Sequence, residues 1–280
     1  STTGIALGAN QNTFNVTGHT ADLKFSTVSI GTQNRNQDLV NVFSFDTGTL
    51  EIGSLTASTK GANGFTTTST INIGGGTVTS GAWTLAGTTG AGNAVATANF
   101  TGGNLTFSDN ILRGAATGAG TVTSTVNLNG AILNMGGMTI GSATNPVTFN
   151  PKAGSLSGLA QLNGGGAPGA FTKTTTGVLT MGNGNTYTGD TNVNEGTLIL
   201  ANTSGSATGL GALTTLSGTT LSGTGSITPA ADKNVTVGGG FSIGNVADIA
   251  GSQISLSTSG TGAISVNGAL YFDLFSGHDS

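Results

Sequence analysis

The chain has no cysteine among its 280 residues. Disulfides, thiolate metal sites and a cysteine nucleophile are excluded, while the redox compartment stays open. Charge is scarce: 7 Lys and Arg stand against 11 Asp and Glu, for a net charge of −4. The cations Lys24, Arg35, Lys60, Arg113, Lys152, Lys173 and Lys233 are scattered. They form no basic stripe along which a phosphate backbone could lie, so no nucleic-acid partner is expected. No apolar run approaches the roughly 18 residues a membrane-spanning helix needs. Ser1-Thr2-Thr3-Gly4 lacks the charged and apolar regions of a signal peptide, which suggests a processed product or fragment. The apolar run Ala269 to Phe275 near the C-terminus suggests the same, since such a strand normally pairs with something beyond it. Proline is rare, at 4 residues, and no segment carries an uninterrupted helical apolar period.

What is abundant is glycine, with 50 residues, set among Thr, Ser, Asn and Ala. Such a composition can mean disorder. Here Val, Ile, Leu and Phe recur at regular alternating positions, which a disordered chain does not need. The clearest case is Gly177 to Leu200, GVLTMGNGNTYTGDTNVNEGTLIL. Three short alternating runs, around Leu179, Tyr187 and Leu198, are separated by Gly-Asn and Gly-Asp corners. Alternation bounded by turn residues predicts half-buried strands. Strands too short to stand alone predict one turn of a coil that must stack on its neighbours.

The same text recurs upstream with a longer period. Asn72-Ile73-Gly74-Gly75-Gly76-Thr77-Val78, Asn99-Phe100-Thr101-Gly102-Gly103-Asn104-Leu105 and Asn127-Leu128-Asn129-Gly130-Ala131-Ile132-Leu133 follow one pattern. Ser44 to Leu50 is an earlier copy and Asn150 to Leu156 a later, weaker one. The first positions 44, 72, 99, 127 and 150 are 28, 27, 28 and 23 residues apart. A second strand follows each Asn, with Trp83 and Leu85, Ile111 and Leu112, or Met138 and Ile140, and a third precedes the next Asn. A strand-rich period of this length predicts an all-β chain, a right-handed parallel β-helix of about 8–11 rungs with few or no helices.

Two files of residues follow from the register. Leu50, Val78, Leu105, Leu133 and Leu156 are expected to form one buried core column. Asn72, Asn99, Asn127 and Asn150 are expected to stack as a ladder. Their flanking residues, such as Ile71 and Ile73, are apolar and should point inward, which puts the amides outside. The alternative places them at a corner inside the coil, bonded as stacked amides. Residues 1–43 read as irregular N-terminal rungs or a cap, with an exposed loop at Asn34 to Asp38. Residues 44–160 carry the 28-residue rungs and 170–280 shorter ones, all in a single solenoid, with a weak boundary at Asn163 to Gly169.

The 24 residues from Gly177 resemble the autotransporter-associated β-strand repeat, in outline G-x-L-T-L-x-G-x-N-T-Y-T-G-x-T-x-V-x-x-G-T-L-x-L. The resemblance covers under a tenth of the chain closely, and the earlier rungs do not share the motif. It implies a right-handed parallel β-helix in a large secreted or surface-displayed bacterial protein, adhesive or structural in role.

Candidate chemistry is thin. The nearest acidic pairs, Asp46 with Glu51 and Asp190 with Glu195, read as corner and surface residues. A glycosidase needs two carboxylates held in a cleft. His19 and His278 lie near opposite ends, so neither a metal site nor a nucleophilic triad is expected. Gly74-Gly75-Gly76, Gly164-Gly165-Gly166 and Gly238-Gly239-Gly240 lack the Lys-Ser/Thr and helix of a phosphate loop, and corners needing positive φ explain them. Thr-x-Thr at Thr77-Val78-Thr79, Thr121-Val122-Thr123 and Thr66 to Thr70 suggests ice binding, but the steps are irregular in phase and Thr is a good strand former in any case. No enzyme, cofactor or metal is expected. The leading expectation is an extracellular or cell-surface structural solenoid that associates with itself into a fibre, sheath or stalk. Its rivals are an adhesin presenting loops to glycans or cell surfaces and, more remotely, an ice-binding or polysaccharide-acting β-helix.

Overall fold

The computed structural model is a β-solenoid: parallel strands stacked in about 9 turns, without a helix among the described residues. It describes residues 3–7, 11–32, 36–61, 64–164, 169–243 and 254–272. The exposed loop expected at Asn34 to Asp38 lies partly outside these residues, as do the middle of the Asn163 to Gly169 boundary, with Gly165 and Gly166, and the end of the C-terminal strand. His278 lies wholly outside them.

Three faces run the length of the longer-rung half. The first is built by Asn12–Asn15, Leu39–Phe45, Thr66–Ile73, Asn93–Phe100 and the openings of Val122–Ser142 and Thr148–Gly164. The second carries Thr77 to Ser80, Asn104–Phe107 and their equivalents; the third carries Ile111–Arg113 and its equivalents. Many strands bend through a corner without losing their pairing. Val122–Ser142 spans 21 residues and visits all three faces.

This geometry corrects the expected layout of the repeat. The run from Asn72 to Val78 is not one strand but a corner: Ile73 ends the first face, Thr77 begins the second, and Gly76 turns between them at φ +74°. The segment expected as a third strand is the front of the Asn-bearing strand itself, as in Thr66–Ile73. Glycine is required at this corner on two counts. Gly48, its counterpart one rung earlier, sits at φ +104°, and a Cβ there would lie 2.1 Å from the Ala21 carbonyl oxygen. The triplet Gly238–Gly240 differs from the expectation: Gly238 and Gly239 are needed for close approach, since a Cβ at Gly239 would lie 2.3 Å from the Thr219 carbonyl oxygen.

Strict alternation makes the core. Thr66–Ile73 and Asn93–Phe100 bury every second residue, because successive side chains leave opposite faces of a strand. Leu50 pairs with Val78, Val78 with Leu105, Leu105 with Leu133 and Leu133 with Leu156. The file continues through Met181 to Leu200. All seven are buried. Aromatic rings fill the wider parts: Trp83 packs edge-on against Phe107 with ring centroids 5.2 Å apart, and Phe171 stacks on Tyr187 at 5.5 Å.

Residues 1–43, expected to be irregular, contribute strands in the same registers. Asn12–Asn15 pairs with Asn41 to Ser44, and Ala21–Ile30 pairs with Gly48 to Ala57. Beyond residue 170 the rungs shorten to 20–22 residues, before a last step of 29 from Val235 to Ile264. Phe171 to Lys173 stacks on Thr191 to Val193, then Leu213–Thr215, Val235–Val237 and Ile264–Val266. The two halves join through the pairing of Gly154 to Leu156 with Leu179 to Met181, and through Phe149 against Phe171. Within Gly177 to Leu200, the first and third runs are strands. The Tyr187 run is extended but outside a regular ladder; single bonds hold it, from Thr186 N to the Leu159 carbonyl and from Leu210 N to the Tyr187 carbonyl.

Candidate functional site

The outward parity of the first face brings the four predicted asparagines together. Asn72, Asn99, Asn127 and Asn150 share one register, each on the strand surface opposite the buried residues. Their amides form a polar chain. Asn150 Nδ2 donates to Asn127 Oδ1 at 2.8 Å, Asn127 Nδ2 to Asn99 Oδ1 at 2.8 Å, and Asn99 Nδ2 to Asn72 Oδ1 at 2.9 Å. Asn72 Nδ2 ends the chain on Ser44 Oγ at 3.2 Å. Every donor points toward the N-terminal end, so the amide dipoles add. Each interior asparagine spends one N–H and one lone pair on the ladder, leaving one N–H and one lone pair free.

Two further outward files run beside the ladder. Val42, Thr70, Thr97, Thr125 and Thr148 occupy one register, and Val40, Thr68, Val95 and Thr123 the next. The pairing between Thr66–Ile73 and Asn93–Phe100, and from there to Val122 through Leu128, is one-to-one. The irregular sequence steps between rungs are absorbed in the corners, and the face itself stays in phase. No position in these three files carries a charge, and none carries a ring.

The acidic residues are spent on a different task. Asp22 Oδ1 accepts from Thr49 N at 3.3 Å and from Thr49 Oγ1 at 2.8 Å. Asn93 holds Thr121 in the same two-point way at 2.9 Å, and Asn110 holds Thr139 at 2.8 and 2.7 Å. Asp232 does so with Thr261, whose backbone and hydroxyl bonds lower the Asp232 pKa below the usual carboxylate value. Asp38 accepts from Thr66 N at 2.7 Å and Asp190 from Ala212 N at 2.9 Å. These staples join residues 22–29 positions apart, one rung to the next. Sequence reading missed them, although an Asp or Asn followed one period later by Thr is the signal.

The expected acidic pairs do not form a carboxylate dyad. Asp46 accepts from Gly18 N through both oxygens at 3.0 and 2.9 Å, while Glu51 on the second face pairs with Lys24. Asp190 caps Ala212 and faces Lys233 at 3.6 Å, whereas Glu195 is exposed beyond the strand bend. His19 is exposed in a turn. Among the described residues no group of three or more His, Asp or Glu could hold a metal ion. No helix there is long and apolar enough to cross a membrane.

Three groups inside the coil are electrostatically perturbed. Burial lowers the Lys60 pKa, with Asp38 opposing, and lowers that of Lys173, with Glu195 opposing. Lys173 Nζ donates to the Thr175 carbonyl within the core. Burial also raises the Tyr187 phenol, whose hydroxyl lies 2.8 Å from Thr191 Oγ1. Asn185, in the repeat-like stretch, is a buried bridge between three rungs. It accepts from Leu159 N at 3.0 Å and donates to the carbonyls of Gly182 and Ala207 at 3.0 and 2.9 Å.

In comparisons with family models, with curated proteins and with solved structures, no match to the chain was found.

Proposed function

We propose that the chain is a structural element of an extracellular or cell-surface assembly, a rigid rod that associates end to end with copies of itself into a fibre, sheath or stalk. The observation that carries this reading is that hydrogen bonds, the amide ladder and the Asp/Asn–Thr staples all run from rung to rung, so each rung is a template for the next. In the last described rung Ile264, Val266 and Leu270 continue the inward files of Val235, Val237 and Phe241 and are 43%, 40% and 46% exposed. A copy stacked there would extend those files through a heterologous, head-to-tail contact. The same bonds between rungs support stiffness.

The composition fits the same role. Few charges resist close association, and Asp22, Asp190 and Asp232 are bonded to neighbouring rungs. Sedimentation and electron microscopy over a concentration series test the reading. Filaments or end-joined oligomers are expected, and Val266→Lys should shorten them. A monomer that persists at the highest concentration refutes it.

A further inference from the structure

We propose that the first face is an ice-binding surface, a function independent of end-to-end assembly. The argument starts from what the face can and cannot hold. Its three outward files contain β-branched residues and amides without a single charge, so an ionic ligand gains nothing there. The aromatic rings Phe43, Trp83, Phe100 and Phe107 are buried, and the exposed ring of Phe65 sits at the corner before the array. No ring platform is available on which a sugar could stack. Four rungs by three files cover about 300 Å², from a strand spacing of about 4.8 Å and a rise of about 3.3 Å per residue. That falls well short of the roughly 800 Å² per partner of a stable protein interface.

What remains is the periodicity itself. Thr70, Thr97, Thr125 and Thr148 repeat at the strand spacing, and the amide file repeats beside them two residues along each strand. Threonine and valine are stiff at χ1. The amides are fixed by their ladder bonds, with Asn99 tied on both sides at 2.9 and 2.8 Å. The face thus holds methyl groups, hydroxyls and spare amide N–H groups in a rigid two-dimensional lattice before any ligand arrives. An uncharged ligand that is small in its unit, donates and accepts hydrogen bonds, and repeats in two dimensions over such an area is crystalline water.

The test uses the full chain. Slow freezing onto an ice-coated probe should concentrate the protein in the ice, and the protein should suppress recrystallisation in a sucrose–ice film. The double variant T97K/T125K should fall to the level of a non-binding control protein. T79K/T106K, at exposed outward positions of the second face, should keep full activity. Circular dichroism checks that each variant folds. If T97K/T125K does not, Thr148→Lys, exposed in the same file, carries the test. Exclusion of the intact chain from ice overturns the proposal. So does equal loss from both faces, or retention on crystalline cellulose or chitin with none on ice.

Discussion

Asn99 sits in the middle of the amide ladder, and its replacement separates the contributions of that ladder from those of the core. Asn99→Ala removes the bond to Asn72 and the bond from Asn127, at 2.9 and 2.8 Å. Each is a net stabilisation of about 1 kcal/mol, so the expected loss is about 2 kcal/mol. Asn150 makes one ladder bond, to Asn127, and Asn150→Ala should cost about half as much. Asn99→Asp probes the direction of the chain. Its carboxylate can accept from Asn127 but has no proton to give Asn72 Oδ1, and two oxygens then face each other. Only the protonated acid restores the donor, so the folded-state pKa of Asp at this site is raised. Its stabilisation is fully present below the unfolded value of about 3.9 and is lost as pH rises through the folded value. The stability gap between wild type and Asn99→Asp should therefore close on acidification, which cancels the acid loss common to both. Urea midpoints at constant m, read at neutral pH and near about pH 4, measure all of this. Equal costs for Asn99→Ala and Asn150→Ala, or a gap for Asn99→Asp that ignores pH, would refute a directional ladder.

Two further perturbations address the interior. Leu133 is fully buried between Leu105 and Leu156, so Leu133→Ala should cost about 2–5 kcal/mol in urea denaturation and loosen amide exchange in its own and the flanking rungs first. Lys173→Met should stabilise the fold by a quantity of the order of 1 kcal/mol at neutral pH, because it replaces a buried ammonium with an apolar chain of similar length. The sign with pH follows from burial, which lowers the Lys173 pKa below 10.5. Between the folded value and 10.5 the unfolded chain binds more protons, so wild-type stability rises with pH there. Lys60 contributes in the same sense, and the raised Tyr187 phenol reverses the trend in the most alkaline range. Subtracting the Lys173→Met profile from wild type isolates the one lysine, and a flat difference contradicts the assignment.

The fold was legible because a solenoid writes its register into the chain. Leu50, Val78, Leu105, Leu133 and Leu156 could be aligned from spacing alone, since one apolar position per rung must recur to bury any of them. The corners were less legible. The left-handed residue that closes the third face is Gly31 in one rung and Ser58 and Ala86 in the next two, at φ between +51° and +63°. A shared backbone requirement met by three residue types leaves no sequence signature. The break between Ile73 and Thr77 was hidden for a related reason: the corner keeps the apolar rhythm of the strands it joins.

The polar residues invert the usual reading of a site. In the sequence, Asp46, Glu51, Asp190 and Glu195 drew attention as acids. In the structure most such groups answer to the next rung: Asp22 to Thr49, Asp190 to Ala212, Asp232 to Thr261. A parallel coil exposes backbone N–H groups at each corner, and an Asp or Asn one rung away is the nearest acceptor that can satisfy them. Carboxylates committed in this way are poor candidates for proton transfer, because protonation breaks the staple. On the first face the outward threonines and the second N–H of each ladder amide are left unspent beside a chain of satisfied neighbours. Ligand recognition by this chain is therefore to be sought where its side chains repeat, and where a change to one rung alters a lattice and not a single contact.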